Sequence, residues 1–379
     1  MIVLEGLFWL AIALLFYEAA GYPVLLRVWV KLARIRSVPP LYAPEEEPLV
    51  TLVVAAHDEE SVIARKVTDA RAQDWPADRL EVIVCSDGST DATVAEARGA
   101  GADVVLDLPR GGKVRAQDAG VERARGEIVV FGDANTLWEP DALRELVAAF
   151  GDPEVGYVCG QVRFVNAEGT NQEGVYWRYE MALRGLESRL ASVTAGNGAI
   201  YATRREAYLV VDPIMGHDLS FPFNMVKRGW RAVYAPRARA HEKMVPSLEG
   251  EFARKRRMMS HAWPIVLRGG MLSPRGYGAA YSIMIVSHRL LRYAAPFLHL
   301  LALAVNVVLV VIGAGTLYVI TLGAQLALLV GAALAGTVRW RPLLLARYYV
   351  LTTASVALGL WDWLRHGTAA GWDAPEGTR

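Results

Sequence analysis

Gly126-Glu127-Ile128-Val129-Val130-Phe131-Gly132-Asp133-Ala134-Asn135-Thr136 is the stretch that decides the fold of this chain. Ile128 to Phe131 are four consecutive β-branched or aromatic residues, the pattern of a buried strand, and Gly-Asp-Ala-Asn is the loop at its carboxyl end. In open α/β sheets, ligands bind in the crevice outside those carboxyl ends. Asp133 and Asn135 stand two residues apart, and both carry hard oxygen suited to Mg²⁺ or Mn²⁺, ions that bridge to substrate phosphates. Asp-x-Asn is also an ordinary turn sequence, so the tripeptide takes its meaning from its neighbours.

Those neighbours alternate strand and helix. Leu49 to Ala56 predicts a strand, Glu59 to Ala72 a helix, Leu80 to Cys85 a strand and Asp91 to Gly99 a helix. Val104 to Leu106 is a short third strand, and Lys113 to Arg125 is the helix leading to the strand quoted above. That order implies a mostly parallel α/β sheet covered by helices. Three strand ends in it are polar: His57-Asp58-Glu59-Glu60, Ser86-Asp87-Gly88-Ser89-Thr90-Asp91 and the loop at Asp133. Asp87, at a strand end, is placed to hydrogen-bond a base or ribose, while Ser89 or Thr90 caps the next helix. Lys113 follows Gly111-Gly112 at a helix start, a mobile cation suited to a diphosphate.

Composition frames this site. The 379 residues are 53% hydrophobic with a formal charge of +1, which predicts a soluble domain joined to membrane segments and excludes a nucleic-acid binder, since no long-range field attracts a polyanion. Cys85 and Cys159 have no disulfide spacing and sit among strand residues, as reduced core thiols of a cytosolic domain do. Ile2 to Leu26 is nearly all apolar, long enough for a span of about 20 residues. Arg27, Lys31, Arg34 and Arg36 follow it, so the positive-inside rule puts the next domain in the cytoplasm. Glu18, near the end of that span, is expected to reach the headgroups. A proline-rich acidic linker, Pro39 to Pro48, comes next.

The succession His57-Asp58-Glu59-Glu60, Ser86 to Asp91, Gly112-Lys113-x-x-Ala116 and Ala124 to Thr136 resembles the family-2 glycosyltransferases in order and spacing. The resemblance continues through Gly196-Asn197-Gly198-Ala199-Ile200-Tyr201, Asp218-Leu219-Ser220-Phe221-Pro222 and Arg254-Lys255-Arg256-Arg257. Gly21-Tyr22-Pro23 and Ser287-His288-Arg289-Leu290-Leu291-Arg292 look like the membrane-integrated branch related to cellulose, hyaluronan and poly-N-acetylglucosamine synthases. The resemblance implies a cytoplasmic GT-A domain, Rossmann-like with a mostly parallel sheet, flanked by N-terminal and C-terminal transmembrane helices. It also implies a nucleotide-diphosphate sugar donor, usually a UDP-sugar, and inversion at the anomeric centre by one direct displacement. Such a displacement needs charge neutralisation on the departing diphosphate and a carboxylate to take the acceptor proton. By the family's pattern, His57, Glu59, Asp87, Lys113 and Asp133 would bind the donor, with Asp133 and Asn135 at the metal. Asp218 would be the catalytic base, in the acidic motif that here reads Gly216-His217-Asp218-Leu219.

Several positions depart from that pattern. Asn135, a neutral ligand, stands where the metal motif ends in Asp, and His241 in Ala240-His241-Glu242 is a candidate third ligand. His217 replaces one acid of the usual pair; it could lower the Asp218 pKa if charged, or share the proton work. The processive synthases' Gln-x-x-Arg-Trp motif appears as Arg254, Arg257 and Met258. Arg254 and Arg257 remain candidates for acceptor or diphosphate binding, while the missing aromatic removes a stacking platform for a sugar.

The expected organisation is an anchor over 1–30, a linker over 31–48, the GT-A domain over 49–275, an interfacial amphipathic helix over 276–296, a C-terminal transmembrane region over 297–366 and a tail over 367–379. The last apolar segment, Leu343 to about Leu364, either crosses the membrane or follows an interfacial path; the family's habit of keeping a terminal Trp such as Trp372 on the active side favours the latter. The whole reads as a multi-pass inner-membrane enzyme that passes a sugar to a lipid-linked or polysaccharide acceptor, with membrane lipids and export or synthase subunits as partners. A processive synthase and a catalytically silent synthase subunit are the alternatives.

Overall fold

A computed structural model describes residues 1–33, 47–165, 174–243, 248–338 and 340–371. Arg34, Arg36, most of the linker and Trp372 lie outside the described residues. The chain divides into two compact units: Met1–Val28, Ser247–Trp263 and Ile283–Gly367 form one, and Trp29–Pro246, Pro264–Ser282 and Thr368–Arg379 form the other.

The second unit is built on an eight-stranded sheet of order β3-β2-β1-β4-β7-β6-β8-β5. Its strands are β1 (Val50–Ala56), β2 (Leu80–Asp87), β3 (Val104–Leu108), β4 (Ile128–Asp133), β5 (Leu137–Trp138), β6 (Val155–Val165), β7 (Ile200–Arg204) and β8 (Arg231–Lys243). Every residue of β1 is buried, because helices cover both faces of the sheet; such strands read as continuous apolar runs. Val50, Leu52, Val54 and Ala56 join the core under α3 (Ile63–Arg71), α4 (Thr93–Gly99) and α6 (Ala142–Ala148). Val53 and Ala55 join the opposite core, under α5 (Lys113–Arg123) and α8 (His217–Lys227). The remaining helix of this half, α7, covers Val175–Leu190.

The first half, β3-β2-β1-β4, is parallel, as the strand and helix alternation predicts. The second half is mixed: β7 runs antiparallel to β4 and β6, β6 pairs with β8 in parallel, and β5 closes antiparallel on β8. The order reverses at β1, which pairs β2 on one side and β4 on the other. Ala55 stands in register with Asp133, and Ala56 with Ser86, so the three polar loops emerge side by side at the switch point.

The other unit holds α1 (Ile2–Phe16), α11 (Leu291–Val311), α12 (Thr316–Leu334) and α13 (Arg341–His366), with parts of α2 (Tyr22–Leu32), the long helix α9 (Leu248–Leu267) and α10 (Ala279–Met284). Among the described residues, four helices are long and apolar enough to cross a membrane: Ile2–Leu32, Ala279–Val311, Thr316–Leu334 and Arg341–His366. Residues 276–296 do not form a separate helix. A π-helical turn at Ile285–Leu290 carries α10 straight into α11, so His288, Arg289 and Arg292 lie within a continuous helix whose backbone bonds never break. Glu18 also differs from expectation. It sits on the π-helical turn Tyr17–Gly21 and pairs with Arg292 at 3.2 Å, while the Tyr17 hydroxyl meets Ser287 Oγ at 2.9 Å. The two membrane motifs thus face each other, and an ion pair inside the helical unit removes the need for Glu18 to reach out.

Candidate active site

Asp133 ends β4 on the face covered by α5, since Val129 and Phe131 point the same way. Its carboxylate pairs with the Lys113 ammonium at the start of α5. Both side chains are about one quarter exposed, 25% for Lys113 and 28% for Asp133, so the pair opens to solvent and an incoming ligand. Gly198 lies beside it, because a Cβ there would stand 3.3 Å from Lys113 Nζ. The same loop reaches α8, where the Gly196 N–H donates to the Asp218 carbonyl at 2.7 Å. Asn197 fixes the loop by donating to the Gly160 carbonyl at 2.7 Å and accepting from the Ala199 and Ile200 N–H groups. Asp133, Lys113 and Asp218 are therefore assembled around one glycine-rich turn, although they come from three separate elements.

Beneath them lies a buried aromatic floor. Tyr201 stacks on Phe131 with ring centroids 4.6 Å apart, and its hydroxyl meets His217 Nδ1 at 2.7 Å. Burial holds the Tyr201 phenol protonated well above its ordinary range, and the nearby Asp133 and Asp218 charges push the same way. His217 stacks on Phe221 at 3.9 Å. Burial, aided by the Lys113 charge, lowers its pKa to about 3, so the imidazole is neutral at working pH. That removes the first of the two roles considered for it: His217 brings no positive charge to Asp218. Among the described residues its buried Nε2 has no hydrogen-bond partner. Sequence patterning gives no signal for Tyr201, one apolar-looking strand residue among five.

Asp87 and His57 behave differently from simple donor contacts. The Asp87 side chain is only 2% exposed. Its carboxylate accepts from the Gly111 N–H at 2.6 Å and the Gly112 N–H at 3.0 Å, and Arg110 approaches it at 3.3 Å. Asp87 thus holds the loop before α5 in shape. Gly112 takes φ +96°, and a Cβ there would collide with the Ala370 carbonyl, so the backbone at Ala370 lies against the same loop. His57 Nδ1 meets the Asp87 carbonyl at 2.9 Å, and the Glu59 N–H donates to Thr93 Oγ1 at 2.7 Å. Together with the Asp58 N–H donating to Ser89 Oγ at 3.1 Å, these bonds stitch the first loop to the second.

His241 is not brought to the metal loop. It lies opposite Leu137 on β8, and its Nε2 faces Glu139 Oε1 at 3.3 Å. Glu139 also meets Arg163 and Arg239, and among the described residues no three His, Cys, Asp or Glu side chains converge on a metal position. The candidate oxygen donors at the loop are the Asp133 carboxylate and the Asn135 amide. Two hard oxygens fit an ion whose remaining ligands are substrate phosphates and water, and the Lys113 ammonium at Asp133 shows that the carboxylate already receives a cation. Arg254 and Arg257 lie on the stretch of α9 that belongs to the helical unit. The Arg254 guanidinium is clamped by Glu251 at 2.8 and 2.9 Å.

A carboxylate-bearing switch point in a half-parallel, half-mixed sheet is the arrangement of the GT-A fold. Residues 51–210 match the family model described as glycosyl transferase family 2. An N-acetylglucosaminyltransferase of Rhizobium sp. (strain N33) is 27% identical over 266 residues, covering 62% of this chain and 59% of that protein. A beta-monoglucosyldiacylglycerol synthase of Synechocystis sp. (strain ATCC 27184 / PCC 6803 / Kazusa) is 34% identical over 171 residues, 40% of this chain and 33% of that protein. The chain thus spans less than two thirds of these relatives' own lengths. Among solved structures, mannosyltransferase PcManGT from Pyrobaculum calidifontis, in complex with GDP-Man and Mn²⁺, superposes with a TM-score of 0.74 at 24% identity, covering 95% of this chain and 99% of that one. That likeness establishes the fold.

Proposed function

We propose that this protein transfers a sugar, with inversion, from a nucleotide-diphosphate donor to a lipid-linked or polysaccharide acceptor at the inner membrane, its catalytic unit cytoplasmic. The observation that carries the reading is the assembly of Asp133, Lys113 and Asp218 around the Gly196–Gly198 loop. Asp218 accepts the proton of the acceptor hydroxyl as that oxygen attacks the anomeric carbon and the bond to the diphosphate breaks. Lys113 leaves Asp133 for the departing diphosphate and neutralises part of its charge. Asp133 and Asn135 would hold Mg²⁺ or Mn²⁺, which supplies electrostatic stabilisation of the leaving diphosphate. His217, neutral and bonded to Tyr201, keeps the first turn of α8 in place.

A Mn²⁺-bound mannosyltransferase with the same fold supports a divalent ion. Both UDP- and GDP-sugars are donor candidates, because the relatives named above include an N-acetylglucosaminyltransferase while the structural neighbour holds GDP-Man. A relative named as a diacylglycerol glycoside synthase and the exposed apolar residues of the helical unit, including Leu10, Phe16, Ile320 and Leu345, support a lipid-side acceptor. The test is nucleoside diphosphate release by the purified protein against UDP-, GDP- and dTDP-sugars with Mg²⁺ or Mn²⁺. One donor class is expected to turn over, and the absence of release with every pair would refute the reading.

A further inference from the structure

Lys66 is the one lysine in the buried stripe of α3, alongside Ile63, Val67 and Ala70, and its side chain is 0% exposed. A buried ammonium is costly unless its protons are satisfied. Its Nζ donates to the Thr136 carbonyl at 3.0 Å, lies 3.6 Å from Asp69 Oδ2 and sits 4.3 Å from the centre of the Trp138 ring. Asp69 Oδ2 in turn accepts from the Trp138 N–H at 3.1 Å. The backbone makes room for this arrangement at Gly132. A side chain there would meet the Trp138 ring at 2.9 Å and Lys66 Nζ at 3.3 Å.

These contacts converge on the far end of the Asp133–Thr136 turn. At its near end, the turn is held by β4; across it, the Thr136 N–H and hydroxyl both donate to the Asp133 carbonyl, at 3.2 and 2.9 Å. Gly132 faces the α3 side of the sheet and Asp133 the α5 side, so Lys66 and Lys113 approach the same turn from opposite faces. We propose that Lys66 is a positioning residue for the metal and diphosphate loop: from behind the sheet, its ammonium fixes Thr136 and thereby the direction in which Asn135 presents its amide oxygen. A neutral amide binds a divalent ion more weakly than a carboxylate, so its contribution depends on being held in place before the ion arrives. Burial lowers the Lys66 pKa to about 8, against the opposing pull of Asp69 and Asp133, so the site retains a charge that costs stability.

The inference rests on the glycosyltransferase reading above, and its test separates the two. Mn²⁺ affinity is measured without turnover, by electron paramagnetic resonance, with Mn²⁺ alone, Mn²⁺ plus UDP and Mn²⁺ plus GDP, for the wild type, Lys66→Met and Asp69→Asn. Acceptor KM and thermal unfolding are recorded on the same proteins. Lys66→Met is expected to weaken Mn²⁺–nucleotide binding about tenfold or more, with acceptor KM unchanged and the unfolding temperature level or raised. Asp69→Asn, which keeps the ammonium but loosens it, is expected to weaken that binding about threefold and serves should Lys66→Met not fold. Equal Mn²⁺–nucleotide affinity in the wild type and in every variant that folds overturns the role of Lys66 and leaves the glycosyltransferase reading standing. No Mn²⁺–nucleotide binding by the wild type overturns both.

Discussion

Asp218 and His217 are adjacent, yet the fold gives them opposite tasks. The Asp218 carbonyl accepts from the Gly196 N–H at 2.7 Å, and Asp218→Asn is expected to lower kcat on the order of 10³-fold with unfolding unchanged, measured by nucleoside diphosphate release. His217 is buried and neutral, with a folded pKa of about 3 against 6.5 when exposed. Below pH 6.5 the unfolded chain therefore binds a proton that the folded chain does not. Stability is lost as pH falls from 6.5 toward about 3, by at most about 1.4 kcal/mol per pH unit for this one group. His217→Gln should flatten that part of the curve in thermal unfolding across pH, and an unchanged curve would contradict the assignment. The sequence order of Asp87, Lys113, Asp133 and Asp218 was enough to nominate the site. What it could not supply were the partners across the sheet. Asp87 turns out to shape the Gly111–Gly112 loop, His241 faces Glu139, and Tyr201 joins the two halves of the site, because each depends on contacts between residues far apart in the chain.

At the scale of elements, the parallel half of the sheet is legible because its strands are mostly apolar and β1, β2 and β3 are each followed by a helix. The mixed half is not. β7, only Ile200–Arg204, and β5, only Leu137–Trp138, are too short to carry a period, and their direction is set by pairing with β4, β6 and β8. The continuous helix Ala279–Val311 was misread as two pieces for a related reason: charged residues at positions 288, 289 and 292 mimic an amphipathic surface helix when their partners on another helix are unseen. The loop before α5 makes a prediction of its own. Gly112→Ala forces an L-residue to φ +96° and a clash with the Ala370 carbonyl, so it should destabilise this loop by about 1–3 kcal/mol. Donor KM should rise while acceptor KM stays put; an unaltered donor KM would show that the loop lies away from the diphosphate.

The chain joins a sheet with three polar loops at its switch point to a helical unit that exposes apolar side chains such as Leu10, Phe16, Ile320 and Leu345. Four helices of spanning length predict that the protein stays with membranes through a carbonate wash and is released only by detergent; recovery in the carbonate supernatant would contradict that placement. The central claim is that Asp133, Lys113 and Asp218 form a single glycosyl-transfer site. Nucleoside diphosphate release from UDP- and GDP-sugars, compared between the wild type and Asp218→Asn in the same membrane mimetic with Mn²⁺, tests it most directly. The account predicts release by the wild type with one donor class and a loss on the order of 10³-fold in the variant; equal release by both proteins, or none by the wild type with any donor, would contradict it.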